Sequence, residues 1–242
     1  MNVYSESDIG LKRSSNQDYC LSGEFPDGAV WAIVCDGMGG ANGGSTASRV
    51  AAENISESLR SGYREEMTPE ELRNLMLLSV EYANRAVYDI SLHVPGLEGM
   101  GTTVVLAVVR RNRAHIVHAG DSRAYICSEE GVRQITTDHS MVQQLVAMGE
   151  ITPEQARQHP QRNMITRALG PEPNLRTDYN TVEFEDGARL IMCTDGLSNY
   201  LTDDELLEFS RNTDCRELTN KLVEHAKQGG GRDNITVAVI SD

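Results

Sequence analysis

The chain has 242 residues, 39% of them apolar and 24% charged. This ordinary globular mixture can bury a substantial core, and it excludes a disordered or fibrous polypeptide. Thirty-six acidic residues against twenty-two basic ones give a formal net charge of −14, and with no Lys/Arg run longer than a pair the composition excludes a nucleic-acid partner.

The first residues, MNVYSESDIGLKRSSNQD, lack the apolar segment of a secretory signal. No stretch approaches the roughly 18 apolar residues of a membrane span. Ala29–Cys35 (AVWAIVC) reads as a buried strand that runs into a loop at Asp36-Gly37. A glycine-rich loop leads to a helical pattern from Gly44 to Ser61, with Ala47, Val50, Ala51, Ile55 and Leu59 at helical spacing. Thr68-Pro69-Glu70-Glu71 is a capping box with Pro at the first helical position. The helix it opens reaches about Leu92, with Leu72, Leu75, Met76, Ser79, Tyr82, Ala83, Ala86 and Tyr88 on its packed face.

Strands follow over Thr102–Arg110, Ala114–Ala119 and Ala124–Cys127, with a hairpin turn at Arg111-Asn112 and another turn at Gly120-Asp121-Ser122. Residues from about 140 to 173 read as an excursion from the sheet, with short helices over Ser140–Gly149 and after Thr152. The chain closes with a strand over Arg189–Cys193, helices from Thr202 and from about Asp214, and a last strand over Ile235–Ile240. Hairpin strands with long paired helices predict an α+β fold in which helices cover a sheet core. One domain, 1–242, accounts for the whole pattern.

Three carboxylates recur where a strand meets a loop: Asp36 after AVWAIVC, Asp195 after LIMC-Thr194, and Asp233 just before ITVAVI. Each alone is an ordinary turn aspartate. If they converge, their repulsion must be neutralised by protons or by a cation, and oxygen-only ligands suit Mg²⁺ or Mn²⁺. Asp121 and Asp18 are further candidates. The glycine loop lacks the Lys of a nucleotide-binding P-loop, so flexible backbone beside metals is its expected use.

Five cysteines without a CxxC argue for free thiols in a reducing, cytoplasmic setting. Cys127 and Arg133 have the C-x5-R spacing of thiol phosphatases, but Glu129 and Glu130 inside that loop would repel thiolate and phosphate alike. The segment reads better as a hairpin. His115 and His118 fall on opposite faces of their strand. His139 is the one histidine worth testing for a role in the chemistry.

The sequence resembles the metal-dependent protein phosphatases (PPM, the type 2C Ser/Thr phosphatases) in their compact bacterial form. The motifs stand in family order: Gly10-Leu-Lys-Arg13-Ser-Ser-Asn16-Gln-Asp18, Val34-Cys-Asp36-Gly-Met-Gly-Gly40, Gly101-Thr-Thr103, Ala119-Gly-Asp121-Ser-Arg123, Asp138-His-Ser140, Ile165-Thr-Arg-Ala-Leu-Gly170, Thr194-Asp195-Gly-Leu197 and Asp233-Asn234-Ile-Thr236.

The resemblance implies a four-layer α-β-β-α sandwich, with two antiparallel sheets flanked by helix pairs and a flap at about 140–173. It implies a centre of two Mn²⁺ or Mg²⁺ ions held by Asp36, the Gly37 carbonyl, Asp195 and Asp233. A third, looser ion would sit between Asp121 and Asp195, Asp18 would act through a water, and Arg13 would grip the substrate phosphate. A hydroxide shared by the two ions would then attack phosphoserine or phosphothreonine in a protein substrate. The implied partners are phosphoproteins and a cognate eukaryotic-like bacterial Ser/Thr kinase, with no nucleic acid and no membrane span, and the chain is expected to be a monomer. Two other readings are a catalytically silent phosphopeptide-binding module and a phosphatase of small phosphoesters. The sequence departs from the family at Met38, where eukaryotic relatives carry a His proposed as general acid, and at Ala41 and Gly44-Ser45 in the glycine loop.

Overall fold

The computed structural model describes residues 1–242, the side chain of Ala41 excepted. In chain order the elements begin with β1 (Asn2–Asp8), β2 (Asp18–Glu24), β3 (Val30–Met38), α1 (Gly40–Gly62) and α2 (Pro69–His93). The middle holds β4 (Gly101–Thr102), β5 (Val104–Arg110), β6 (Arg113–Ala119), β7 (Arg123–Ser128), β8 (Gly131–Gln134), α3 (Met141–Ala147) and α4 (Pro153–Gln158). The last part holds β9 (Asp178–Glu183), β10 (Arg189–Cys193), α5 (Asp195–Ser198), α6 (Asp203–Asn212), α7 (Cys215–Gln228) and β11 (Ile235–Ser241).

Two antiparallel sheets form, one in the order β1-β11-β10-β7-β8, the other β2-β3-β5-β6-β9 with β4 beside β3. Strand parity sorts the side chains into layers. In β3, Trp31, Ile33 and Cys35 pack against α1 and α2, whereas Val30, Ala32 and Val34 fill the gap between the sheets. In β11, Ala238 and Ile240 face that gap, whereas Ile235, Val237 and Val239 pack with Leu218, Leu222 and Val223 of α7. Both faces of these strands are covered, which is why they read as unbroken apolar runs. The result is the four-layer α-β-β-α sandwich that the resemblance implied.

Several boundaries differ from the sequence reading. Helix α1 starts at Gly40, not Gly44, and its glycine-rich first turn lies against β3. A Cβ on Gly37 would collide with the Gly44 carbonyl, and one on Gly44 would lie 2.6 Å from the Gly37 carbonyl oxygen. The glycines therefore serve close packing of helix on strand, not loose backbone. Asp36 stands inside β3, which runs on to Met38, because Gly37 and Met38 pair with Thr102 and Gly101. The strand expected over Thr102–Arg110 is interrupted at Thr103, which turns aside to bond Asp36. Tyr82 is 63% exposed, since the buried row of α2 continues through Ala83 instead.

The hairpin turn Arg111-Asn112 has φ of 47° and 58°, the left-handed pair that suits a two-residue loop between β5 and β6. Between β8 and β9 the chain leaves the sheets and carries α3 and α4. Its two ends are tied down: the Thr166 N–H donates to the His139 carbonyl at 2.7 Å, and Thr102 and Leu169 exchange backbone bonds at 3.0 and 2.9 Å.

Candidate active site

The gap between the sheets ends in polar residues. Asp36 continues the inward row Val30, Ala32, Val34, and Asp18 lies opposite it in the β2–β3 ladder. From the other sheet, Thr194 and Thr236 occupy the same end. The Thr194 hydroxyl donates to Asp18 Oδ2 at 2.9 Å and accepts from the Thr236 N–H at 3.1 Å. Thr103 joins two of the acidic positions. Its Oγ1 accepts from the Asp36 N–H at 3.0 Å and meets Ser122 Oγ, next to Asp121, at 2.7 Å.

Above this floor lies a cleft of about 380 Å³, lined by Asp36, Gly37, Asp121, Asp195, Asp233 and Arg13. Asp195 opens α5 and is held by the Asn199 side chain at 3.2 Å. Asp233 Oδ1 accepts from the Asn234 N–H at 2.8 Å, and its Oδ2 pairs with Arg13 Nη2 at 2.6 Å. Asn234 fastens the segment that carries Arg13: its Nδ2 donates to the carbonyls of Ile9 and Ser15 at 2.9 and 3.0 Å, and its Oδ1 accepts from the Gln17 N–H at 2.9 Å. Met38 also lines the cleft and has no proton to donate.

Burial crowds these carboxyl groups and raises their proton affinity. It drives Asp36 well above the usual carboxylate range, helped by the charges of Asp18, Asp195, Asp121 and Asp233. Burial lifts Asp18 to about 7, against the nearby hydroxyls of Thr236 and Thr194. Asp121 also rises to about 7, through burial and then the Asp195 charge, and Asp195 to about 6, through burial and then Asp233. The hydrogen bond to Asp233 holds Arg13 more firmly protonated than usual.

The donor set fits hard divalent cations. It consists of carboxylates and a backbone carbonyl, with no thiol or imidazole among the residues named for this cleft. Asp18 Oδ1 is buried without a hydrogen-bond partner beneath Asp36. A buried acceptor in that state calls for a proton or a cation-bound water.

Two networks beside the cleft were not assigned roles from sequence, although the Asp121-Ser-Arg123 and Asp138-His-Ser140 motifs contain them. Arg123 grips Asp138 through three contacts of 2.7, 2.9 and 3.1 Å. His139 Nδ1 accepts from the Gly120 N–H at 3.2 Å, while its Nε2 faces Asp178 Oδ2 at 3.2 Å. His118, His139 and Asp178 place ligand atoms within 4.8 Å of one another. The Arg167 guanidinium already stands there, 2.9 Å from both His139 Nε2 and Asp178 Oδ1, and opposes a second cation. The thiol reading fails on burial: Cys127 lies in the β7–β8 hairpin, 2% exposed, its thiol pushed up to about 11 by desolvation.

Residues 12–234 match the family described as protein phosphatase 2C. The protein phosphatase PhpP of Streptococcus pneumoniae (strain D39) is 34% identical over 242 residues, covering 100% of this chain and 97% of its own length. A serine/threonine phosphatase structure from S. agalactiae superposes with a TM-score of 0.92 at 32% identity, covering 100% of this chain and 99% of that one. The catalytic domain of the serine/threonine phosphatase PstP, solved with two manganese ions, has a TM-score of 0.86 at 33% identity and covers 100% of this chain and 98% of that one. Fold and cleft define a metal-dependent hydrolase of phosphoesters. The chain belongs to the protein phosphatase 2C family of protein Ser/Thr phosphatases.

Proposed function

We propose that the protein removes phosphate from serine and threonine side chains of proteins at the cleft bordered by Asp36, Asp121, Asp195 and Asp233. The observation that carries this reading is the convergence of these four carboxylates, from β3, the β6–β7 turn, α5 and the loop just before β11, on one cavity rimmed by Arg13. Asp36, Asp195, Asp233 and the Gly37 carbonyl would hold two Mn²⁺ or Mg²⁺ ions, with Asp121 and Asp195 holding a third and Asp18 acting through water. When bound, the cations would neutralise the phosphoryl oxygens and acidify a coordinated water.

The protein's own groups do the rest. Arg13 offers a guanidinium fork to the phosphoryl oxygens. Asn199 and the Asn234 backbone orient Asp195 and Asp233, so these side chains lose little freedom when they bind. Asn163 and Ile165, from the 140–173 flap, form part of the wall and limit solvent access. Residues 1–242 act as one catalytic unit. The substrates would come from a Ser/Thr kinase, in a reducing compartment that keeps the five thiols free.

The test is phosphate release from a phosphothreonine peptide by the chelated protein before and after Mn²⁺ is restored. Turnover only with Mn²⁺, lost in Asp36→Asn, supports the reading. Turnover of sugar or nucleotide phosphates with none of the peptide overturns the protein-substrate part.

A further inference from the structure

Next to the cleft of aspartates lies a second and larger one, of about 560 Å³. The two share Asn163, Asp195 and Asp233, so they are continuous. What distinguishes the second is its arginines, of which Arg123 is held by Asp138 and three others are not. Arg157 and Arg162 come from the flap, Arg157 from α4 and Arg162 just beyond it, and Arg232 comes from the opposite wall, immediately before Asp233. All three are exposed, and none has a carboxylate oxygen within 4.0 Å among the described residues. Glu154 precedes Arg157 by one turn without closing a pair.

Elsewhere most arginines engage the protein itself. Arg110, Arg111, Arg189 and Arg211 donate to backbone carbonyls, and Arg60 and Arg73 cover aromatic rings. In a chain of net charge −14, three free guanidiniums facing one cavity run against the overall field. Guanidinium forks match carboxylates and phosphates, and clusters of them read acidic or phosphorylated peptide segments. A peptide whose phosphorylated residue enters the aspartate cleft must lay its neighbouring residues somewhere, and one continuous path leads past Arg162 and Arg232.

Resting on the phosphoprotein phosphatase reading above, we propose that the cleft between the flap and Arg232 selects substrates whose residues beside the phosphoserine or phosphothreonine carry anionic side chains, carboxylate or a second phosphate. Arg157, Arg162 and Arg232 are the specificity-determining residues. Charge pairs in such a solvent-exposed cleft are individually weak, and three together give roughly tenfold discrimination.

The experiment compares kcat/KM of the Mn²⁺-loaded enzyme on four phosphothreonine peptides of equal length, flanked by Glu, by Ala, by Lys, or by a second phosphoserine. The Glu-flanked and doubly phosphorylated peptides are expected to exceed the Lys-flanked one by roughly tenfold at low salt, with the gap shrinking as salt screens it. Preference for only one of the two anionic peptides identifies which anion the cleft takes. The double variant R162E/R232E is expected to reverse the order of the Glu and Lys peptides, which loss of packing would not do. Equal rates on all peptides, or a preference for Lys flanks, overturns the proposal and leaves the phosphatase reading standing. Failure to hydrolyse any peptide while p-nitrophenyl phosphate is cleaved overturns both.

Discussion

Asp18 and Asp36 are direct partners across the antiparallel β2–β3 ladder, so two carboxyl groups stand side by side on one face of the sheet. Like charges in that position destabilise a sheet. The pair persists at the mouth of the gap between the sheets, where Asp18 leaves one oxygen without a partner. Structure alone gives no reason to retain it, whereas a cation held by Asp36, with Asp18 reaching it through water, would give one.

Replacing either member separates direct ligation from support. Asp36→Asn is expected to lower kcat by about a thousandfold or more, as loss of a carboxylate that would hold the metal should. Asp18→Asn keeps the Thr194 contact and is expected to weaken Mn²⁺ binding by about 10–100-fold, the range for groups that act behind the ligands. Calorimetric titration with Mn²⁺ beside a phosphopeptide assay distinguishes the two outcomes.

The raised carboxylates make the metal-free protein sensitive to pH. Between about 4 and 7 the unfolded chain has lost protons that Asp18, Asp121 and Asp195 still hold in the folded state. The folded state binds more protons there, so stability falls as pH rises through that window. The Tm of chelated protein is expected to be higher at pH 5.5 than at pH 7.5. Mn²⁺ is expected to raise Tm most at pH 7.5, where it replaces the protons, and thermal melts at the two pH values check both statements.

Asn234→Ala removes three hydrogen bonds, to Ile9, Ser15 and Gln17, from a residue 4% exposed. Leaving those backbone groups unpaired should cost about 1–3 kcal/mol of stability. Because the same bonds fix the segment carrying Arg13, KM for a phosphopeptide is expected to rise as well. Denaturant melts and steady-state kinetics read the two effects separately.

Arg167→Met removes the cation that faces both His139 and Asp178. The base of the 140–173 excursion is expected to open more often. Hydrogen exchange should quicken at the Thr166 and Met141 amides, which bond across that base, and not at Val105 or Val239 in the sheets.

The centre of the fold was legible because both faces of its strands are covered. β3, β5, β10 and β11 announce themselves as apolar runs, and Arg111-Asn112 marks its hairpin. The edges were not. β1 (NVYSESD), β2 (DYCLSGE) and β9 (DYNTVE) each lie at the border of a sheet with one side open, and their polar composition hides them. The site followed the same division. Asp36, Asp195 and Asp233 stood out beside apolar strands, but the position of Asp18 opposite Asp36 depends on an edge strand that the pattern did not reveal. Arg167 and Asp178, which clasp His139, are 28 and 39 residues away from it in sequence, and only the folded chain brings them together.

The most direct test of the central claim, that these aspartates form one cation centre for phosphoester hydrolysis, is a titration of chelated protein with Mn²⁺ that follows binding by calorimetry and phosphothreonine-peptide hydrolysis in the same samples. The account predicts that activity rises from zero in step with occupancy of at least two Mn²⁺ per chain, and that Asp36→Asn loses both signals. Full activity in the chelated protein, or Mn²⁺ binding that Asp36→Asn leaves unchanged, would contradict it.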